Sequence, residues 1–302
     1  MIMSPLTAAI YKTVVFFDAQ DIAPTLLELK AYLVATPQFS AQDQKVTIFD
    51  MENALTGELR GQVESHSGLY FLPSRESLVD ARKLRYRTSL VRFRKARKYL
   101  SWLKFFPYLR AVGISGSQAL FNSNPNSDID LFVLTSKNRI WLARFLVSFY
   151  FQILGQRRHG EHIRDRFCLN HYLCEDLEIT EDRNLYTAVE YASLIPVLGT
   201  EEFTKFWAKN RWINDFLREP LFEKNNIFFK FKFSKARKLF EIILDFTIGP
   251  ALNWLVGLYQ KQRIRLEQHI IVSDRELSFH PGSRGQKVLA RFRAKLQGTE
   301  SA

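Results

Sequence analysis

The chain has 302 residues, 46% hydrophobic and 25% charged, which supplies enough apolar side chains for packed cores and excludes a globally disordered chain. Its formal net charge of +12 is unevenly placed: residues 1–81 hold five basic and ten acidic residues, whereas residues 82–98, RKLRYRTSLVRFRKARK, hold nine basic and no acidic ones. The first twenty residues lack a basic start and Asp18 cuts their apolar run short, so no secretory signal is expected and the protein is read as cytoplasmic. Residues 140–154 and 246–259 are the most apolar stretches. Both fall short of the about 20 residues that cross a bilayer, so no membrane span is expected and both read as buried helices.

In chain order, residues 7–17 suit a helix, Thr25 can cap a second helix in TLLELKAYLV, and a third is expected over 52–60. VESHSGLYFLP then reads as two short strands around Ser67-Gly68. Three small helices and a hairpin is the winged-helix order, so residues 1–80 are read as a winged-helix-like domain. Residues 77–106 contain neither glycine nor proline and predict a long helix, whose part from 81 to 106 is a basic connector.

Next, LRAVGIS predicts a strand ending in a glycine-serine turn, QALF a short helix, NSNPNS a polar loop and DIDLFVLT the clearest strand of the chain. A helix over 138–154 and a strand over 166–173 follow, and strand, helix, strand implies a crossover within one sheet. That core is assigned to residues 107–180. Residues 181–302 read as a helical C-terminal region, in which Ser273 and Glu276 have capping-box spacing. The two cysteines, Cys168 and Cys174, lie in FCLNHYLC. In a strand they would stand about 20 Å apart, too far for a disulfide. Regular alternation would put His171 on the opposite face from both, against a zinc site made of the three.

Chemistry concentrates in ISGSQALFNSNPNSDIDLFVL. Alternate residues of a strand share a face, so Asp128 and Asp130 project together at the start of an apolar strand. Two converging carboxylates entering a core need a compensating charge, and Mg²⁺ takes one or two carboxylates plus phosphate oxygens. The turn at Ser115, Gly116 and Ser117 supplies the complement, because glycine lets a backbone approach a phosphate and amides at a helix start favour anions. The plainer reading is a tight turn and a polar strand start whose aspartates bond loop amides.

These residues resemble the DNA polymerase β-like nucleotidyltransferase superfamily, whose signature is a hydrophobic residue, G-[GS], about ten residues of spacer, and D-x-D in a hydrophobic strand. The resemblance covers about 25 residues directly and about 75 with the following helix and strand. It implies an α+β fold with a mixed sheet, and transfer of a nucleoside monophosphate from an NTP to a hydroxyl acceptor on an RNA end, a small molecule or a protein. Asp128 and Asp130 would be the catalytic, Mg²⁺-holding residues, and Ser115, Gly116 and Ser117 would bind the nucleotide's phosphates. The superfamily usually has a third carboxylate on a later strand. Here Asn170 stands at about that place, with Asp165 and Glu175 flanking the strand. Arg157 and Arg158 end the helix after the aspartate strand, within reach of a triphosphate, and His159 and His162 follow them. Two other functions stay open: a non-catalytic nucleotide-sensing regulator acting through its winged helix, and an RNA-binding module built on the basic helix 82–98. Nothing in the sequence speaks to oligomeric state.

Overall fold

The first helices are set by their caps. In this computed structural model, which describes residues 3–37, 39, 45–222, 228–229, 231–264, 270–279 and 283–300, Ser4 caps α1 (Pro5–Asp18) by accepting from the Thr7 amide at 3.3 Å. Capping boxes at Thr25/Glu28 and Thr47/Asp50 start α2 (Leu26–Ala31) and α3 (Ile48–Thr56), so α3 begins earlier than the expected 52–60. Strands β1 (Glu64–His66) and β2 (Leu69–Phe71) pair through a two-residue turn with Ser67 at φ +55° and Gly68 at φ +74°, the left-handed pair that a tight hairpin requires. The long helix α4 (Ser77–Leu100) follows and runs into a 3₁₀ turn, Ser101–Phe105.

The remaining strands build one mixed sheet. In order they are β3 (Leu109–Ile114), helix α5 (Gly116–Ala119), β4 (Ile129–Thr135), α6 (Ile140–Ile153), β5 (Phe167–Cys174), α7 (Leu185–Ala192), β6 (Ile195–Leu198) and α8 (Thr200–Lys209). Then come α9 (Lys235–Phe246), α10 (Gly249–Arg263), β7 (Ile271–Val272), β8 (Glu276–Ser278) and α11 (Ser283–Glu300). The strand order is β6-β3-β4-β5-β8-β7, and the one parallel pair, β4 with β5, is joined by α6. The molecule is an α+β protein.

Three strands come from the region expected to be helical. Pro196 confines β6 to a sheet edge, where the missing N–H costs nothing. Ser273 and Glu276 start no helix: the Ser273 amide donates to the Glu276 carbonyl at 2.8 Å and its hydroxyl accepts the Glu276 amide at 2.8 Å, a turn between β7 and β8. The same capping chemistry serves either structure, and spacing alone cannot tell them apart.

Alternation along β4 divides the interior in two. Ile129, Leu131 and Val133 pack with α4 and α6 on one face of the sheet, while Phe132 and Leu134 pack with α7 and α8 on the other. Phe16, Phe17 and Tyr32 join that second layer, so the N-terminal helices share the core of the sheet as well as holding a small one around Ile10, Leu29 and Met51. The basic run on α4 is divided as well. Arg82 is buried and bonds Glu28 and the Leu120 carbonyl, and Arg85 donates to the Asp21 carbonyl. Arg92, only 1% exposed, donates to Asp165 Oδ1 at 2.7 Å, Ser127 Oγ at 2.8 Å and the carbonyls of Asn124, Pro125 and Ser127. Lys83, Arg87, Arg94, Arg97 and Lys98 are left exposed on the surface.

Helices α9 and α10 are turned inside out. Arg237, Glu241 and Asp245 of α9 bond to the body: Glu241 Oε1 accepts from the Tyr108 amide at 2.6 Å, and Asp245 Oδ1 accepts from the Tyr108 hydroxyl at 2.9 Å. On α10 the inward residues are Asn253, which accepts from the Leu142 amide, Gly257 against Trp141, and Gln260. The apolar residues point out, with Phe246 87% and Trp254 62% exposed, which corrects the expectation of a buried helix over 246–259. The expectation for 140–154 is met on one side only, since Val147 and Phe151 are buried but Phe149 and Ile153 are exposed. Among the described residues no single helix is long and apolar enough to cross a membrane.

Arg92→Ala removes a buried guanidinium from Asp165 and from three loop carbonyls, of which Pro125's has no other donor among the described residues. We expect it to lower stability by about 2–3 kcal/mol, a fall of several degrees in Tm. Arg94→Ala, on the exposed side of the same helix, should leave Tm unchanged. Thermal denaturation of the two variants beside the wild type checks the contrast.

Candidate active site

Beyond the last ladder pair of β3 and β4, Ile114 with Leu131, the Ser115 amide still donates to the Asp130 carbonyl at 3.1 Å. There the chain turns. Gly116 has φ +62°, and a Cβ at that position would lie 2.7 Å from Asp130 Oδ2, so the turn and the carboxylate touch only because the residue is glycine. Asp128 stands just before β4 and is separated from Asp130 by Ile129, which is wholly buried on the opposite face. The two carboxylates therefore share one side of the sheet, as the D-x-D spacing predicts. Ser123 donates its amide to Ser89 Oγ, and Arg92 grips residues 124–127, which fixes the loop that returns the chain to Asp128.

The neighbouring strand adds a residue that sequence reading treated as structural. Cys168 is the register partner of Asp130, and Asp128, Asp130 and Cys168 bring one ligand atom each within 4.8 Å of one another. The register then shifts: from Asp130 to Phe132 is two steps along β4, while their partners Cys168 and His171 are three steps apart on β5. This bulge turns Cys168 and His171 to the same side, where unbroken alternation would separate them. The His171 ring accordingly stands edge-on to Phe132 with centroids 4.9 Å apart. A zinc site of Cys168, His171 and Cys174 still does not form, because Cys174 packs into the opposite layer with Tyr172.

Arg158 is the cation of the site. Its Nη1 lies 2.6 Å from Asp128 Oδ2 and 3.4 Å from Cys168 Sγ. Burial pushes the Cys168 thiol well above its ordinary range, and the charges of Asp130 and Asp128 push it the same way, so the sulfur is a neutral thiol at physiological pH. The two candidate acids flanking β5 are engaged elsewhere, Asp165 with Arg92 and Glu175 with Arg110 at 3.4 Å. The side chain of Asn170 lies outside the described residues. Among the described residues no third carboxylate joins Asp128 and Asp130.

The aspartates open into a cavity of about 740 Å³ lined by Gly116, Ser117, Asp128, Asp130 and Cys168 on the sheet side and by Tyr186 and Glu190 of α7. Ser115 lies beneath this lining, 3% exposed, and its hydroxyl has no hydrogen-bond partner among the described residues. Burial, reinforced by Glu190, pushes the Tyr186 phenol up, so it stays protonated beside the aspartates. Gly285 fits against its ring, where a Cβ would meet Cδ1 at 2.9 Å, and so the first turn of α11 brings Arg284 to the cavity. Arg85 and Arg158 line it too. His159 and His162 pair with each other in a surface turn outside the cavity lining.

No protein-family model matches this chain, and no curated protein or solved structure matches it.

The arrangement suits a hard divalent cation on its two carboxylates, with a phosphorylated ligand completing the coordination. The thiol is a soft ligand and contributes little to such an ion. Gly116→Ala would drive a Cβ into Asp130 and, we expect, weaken Mn²⁺ binding about 10–100-fold while the fold, followed by circular dichroism, is kept. Calorimetric titration with Mn²⁺ measures it.

Proposed function

We propose that this chain is a Mg²⁺-dependent nucleotidyltransferase with a polymerase β-like core, moving a nucleoside monophosphate from an NTP to a hydroxyl acceptor. The observation that carries the reading is the contact of Gly116 with Asp130, which joins a left-handed glycine turn to a carboxylate pair in the lining of one cavity. A cavity of about 740 Å³ falls in the range that holds nucleotide-sized ligands.

Asp128 and Asp130 would hold the cation, which when bound neutralises charge on the phosphates and makes the acceptor hydroxyl more acidic. The Ser117 hydroxyl and the amides of the Gly116 turn would hold the terminal phosphates in line with the acceptor. Arg158, already on Asp128, would move to a phosphate oxygen when a cation takes over its carboxylate, and Arg284, from the start of α11, lines the same cavity. Tyr186 keeps its proton and would donate it to a bound ligand as a hydrogen bond.

The thiol of Cys168 beside the aspartates, where a third acid would serve as the acceptor's base, favours a second reading: a site that binds nucleotide and does not transfer it. An RNA-binding role for α4 is narrowed to its five exposed basic residues, because Arg82, Arg85, Arg92 and Lys95 are committed to internal bonds.

Incubation with Mg²⁺ and each α-labelled NTP, with and without total RNA, should give label transfer that the Asp128→Asn/Asp130→Asn pair abolishes. Transfer that survives the pair sinks the assignment. Nucleotide binding lost in the pair, without transfer to any acceptor, selects the sensing site. Arg158→Gln should tighten Mn²⁺ binding in the absence of nucleotide, since a competing cation is gone, and weaken binding of Mn²⁺-NTP. Calorimetry on both ligands reads the opposite signs.

A further inference from the structure

Among the described residues, nine of the 21 exposed large hydrophobic side chains lie on helices α9 and α10. On α9, Leu239, Phe240, Ile242, Ile243 and Phe246 are each at least half exposed. On α10, Trp254, Leu255, Leu258 and Tyr259 continue the surface, and Trp102 and Phe105 flank it from the 3₁₀ turn against which α9 packs. A marginally stable amphipathic helix would lie with this face inward. Here it cannot, because Arg237, Glu241 and Asp245 bind it to Leu109, Tyr108 and Arg139 through its polar side. Both helices are locked with the apolar side presented, which marks an interaction surface.

The charges say what covers it. The segment from Lys235 to Arg263 carries Lys235, Lys238 and Arg263 exposed at the outer ends of the two helices, with Lys261 paired to Asp274, and its two acids, Glu241 and Asp245, are bonded to Tyr108 and Arg139 of the body. Lys104, beside the start of α9, adds to the same sign. A second copy seated on this face by two-fold symmetry would bring lysine-flanked patches together, like charge on like. An anionic lipid surface meets both the apolar and the basic parts. Geometry agrees: the helices are about 18 and 22 Å long, each alone too short to cross a hydrocarbon layer of about 30 Å. Although the pair together has the length and composition of a broken span, it bends by 85° and its polar side is bonded to the body. They are long enough to lie within one interface, with Trp102, Trp254 and Tyr259 at headgroup depth.

We propose that α9 and α10 dock this protein on the surface of an anionic membrane, apolar faces in one leaflet, without spanning it. The docking does not depend on nucleotide transfer.

Flotation of the full chain with vesicles tests it. Wild type should float with phosphatidylcholine–phosphatidylglycerol vesicles and far less with phosphatidylcholine alone. Phe240→Ser/Phe246→Ser/Trp254→Ser, at exposed positions, should keep the circular dichroism of the wild type and stay unbound. Lys235→Glu/Lys238→Glu should lower partitioning at least about tenfold, as should high salt. Brominated acyl chains should quench the fluorescence of the wild type more than that of Trp254→Phe. Failure of the wild type to float on anionic vesicles overturns the proposal. So does sedimentation showing a stable dimer that the triple variant splits while neither protein binds lipid, which would assign the face to a second copy.

Discussion

The antiparallel register of β3 and β4 is the interaction on which the candidate site depends. It carries the Ser115 amide onto the Asp130 carbonyl and so sets a left-handed glycine directly against a carboxylate. Two like charges on one strand face are costly in a protein interior, and the surrounding structure is arranged to tolerate them. Arg158 neutralises one side, Arg92 fixes the loop behind Asp128, and the cavity keeps the pair open to ligand. On the proposed reading, the guanidinium of Arg158 occupies part of the place a bound cation would take.

Much of this was legible in the chain because it rests on short-range rules. Strand alternation alone put Asp128 and Asp130 on one side, and the capping residue Thr25 marked the start of α2, whereas the cap at Thr47 puts the start of α3 earlier than the sequence reading does. What could not be read depends on pairing between distant segments. The pairing that sets Cys168 opposite Asp130, and the bulge that turns His171 to the same side, exist only in the register of β5 against β4, and the sequence FCLNHYLC carries no sign of them. Tyr186 and Arg284 reach the cavity because α11 folds back over α7, a contact across about a hundred residues with no local signal.

The orientation of α9 and α10 was hidden for a related reason. An amphipathic pattern states that a helix has two unlike faces and is silent about which one is turned inward. The inversion is decided by partners far off in sequence: Tyr108 and Arg139 for α9, Leu142 and Trp141 for α10. The basic run on α4 follows the same lesson, since its even appearance in sequence conceals buried arginines that brace the fold and exposed ones that do not. Charge counted along a chain measures a surface only after the internal bonds have been subtracted.

The most direct measurement is a crystal structure of the protein with Mn²⁺ and a non-hydrolysable NTP, read by the anomalous signal of the metal. The account predicts a Mn²⁺ peak between the carboxylates of Asp128 and Asp130, the triphosphate on the Gly116-Ser117 turn, and Arg158 moved from Asp128 to a phosphate oxygen. A nucleotide bound elsewhere, with no peak at the aspartates and Arg158 still paired to Asp128, would contradict it.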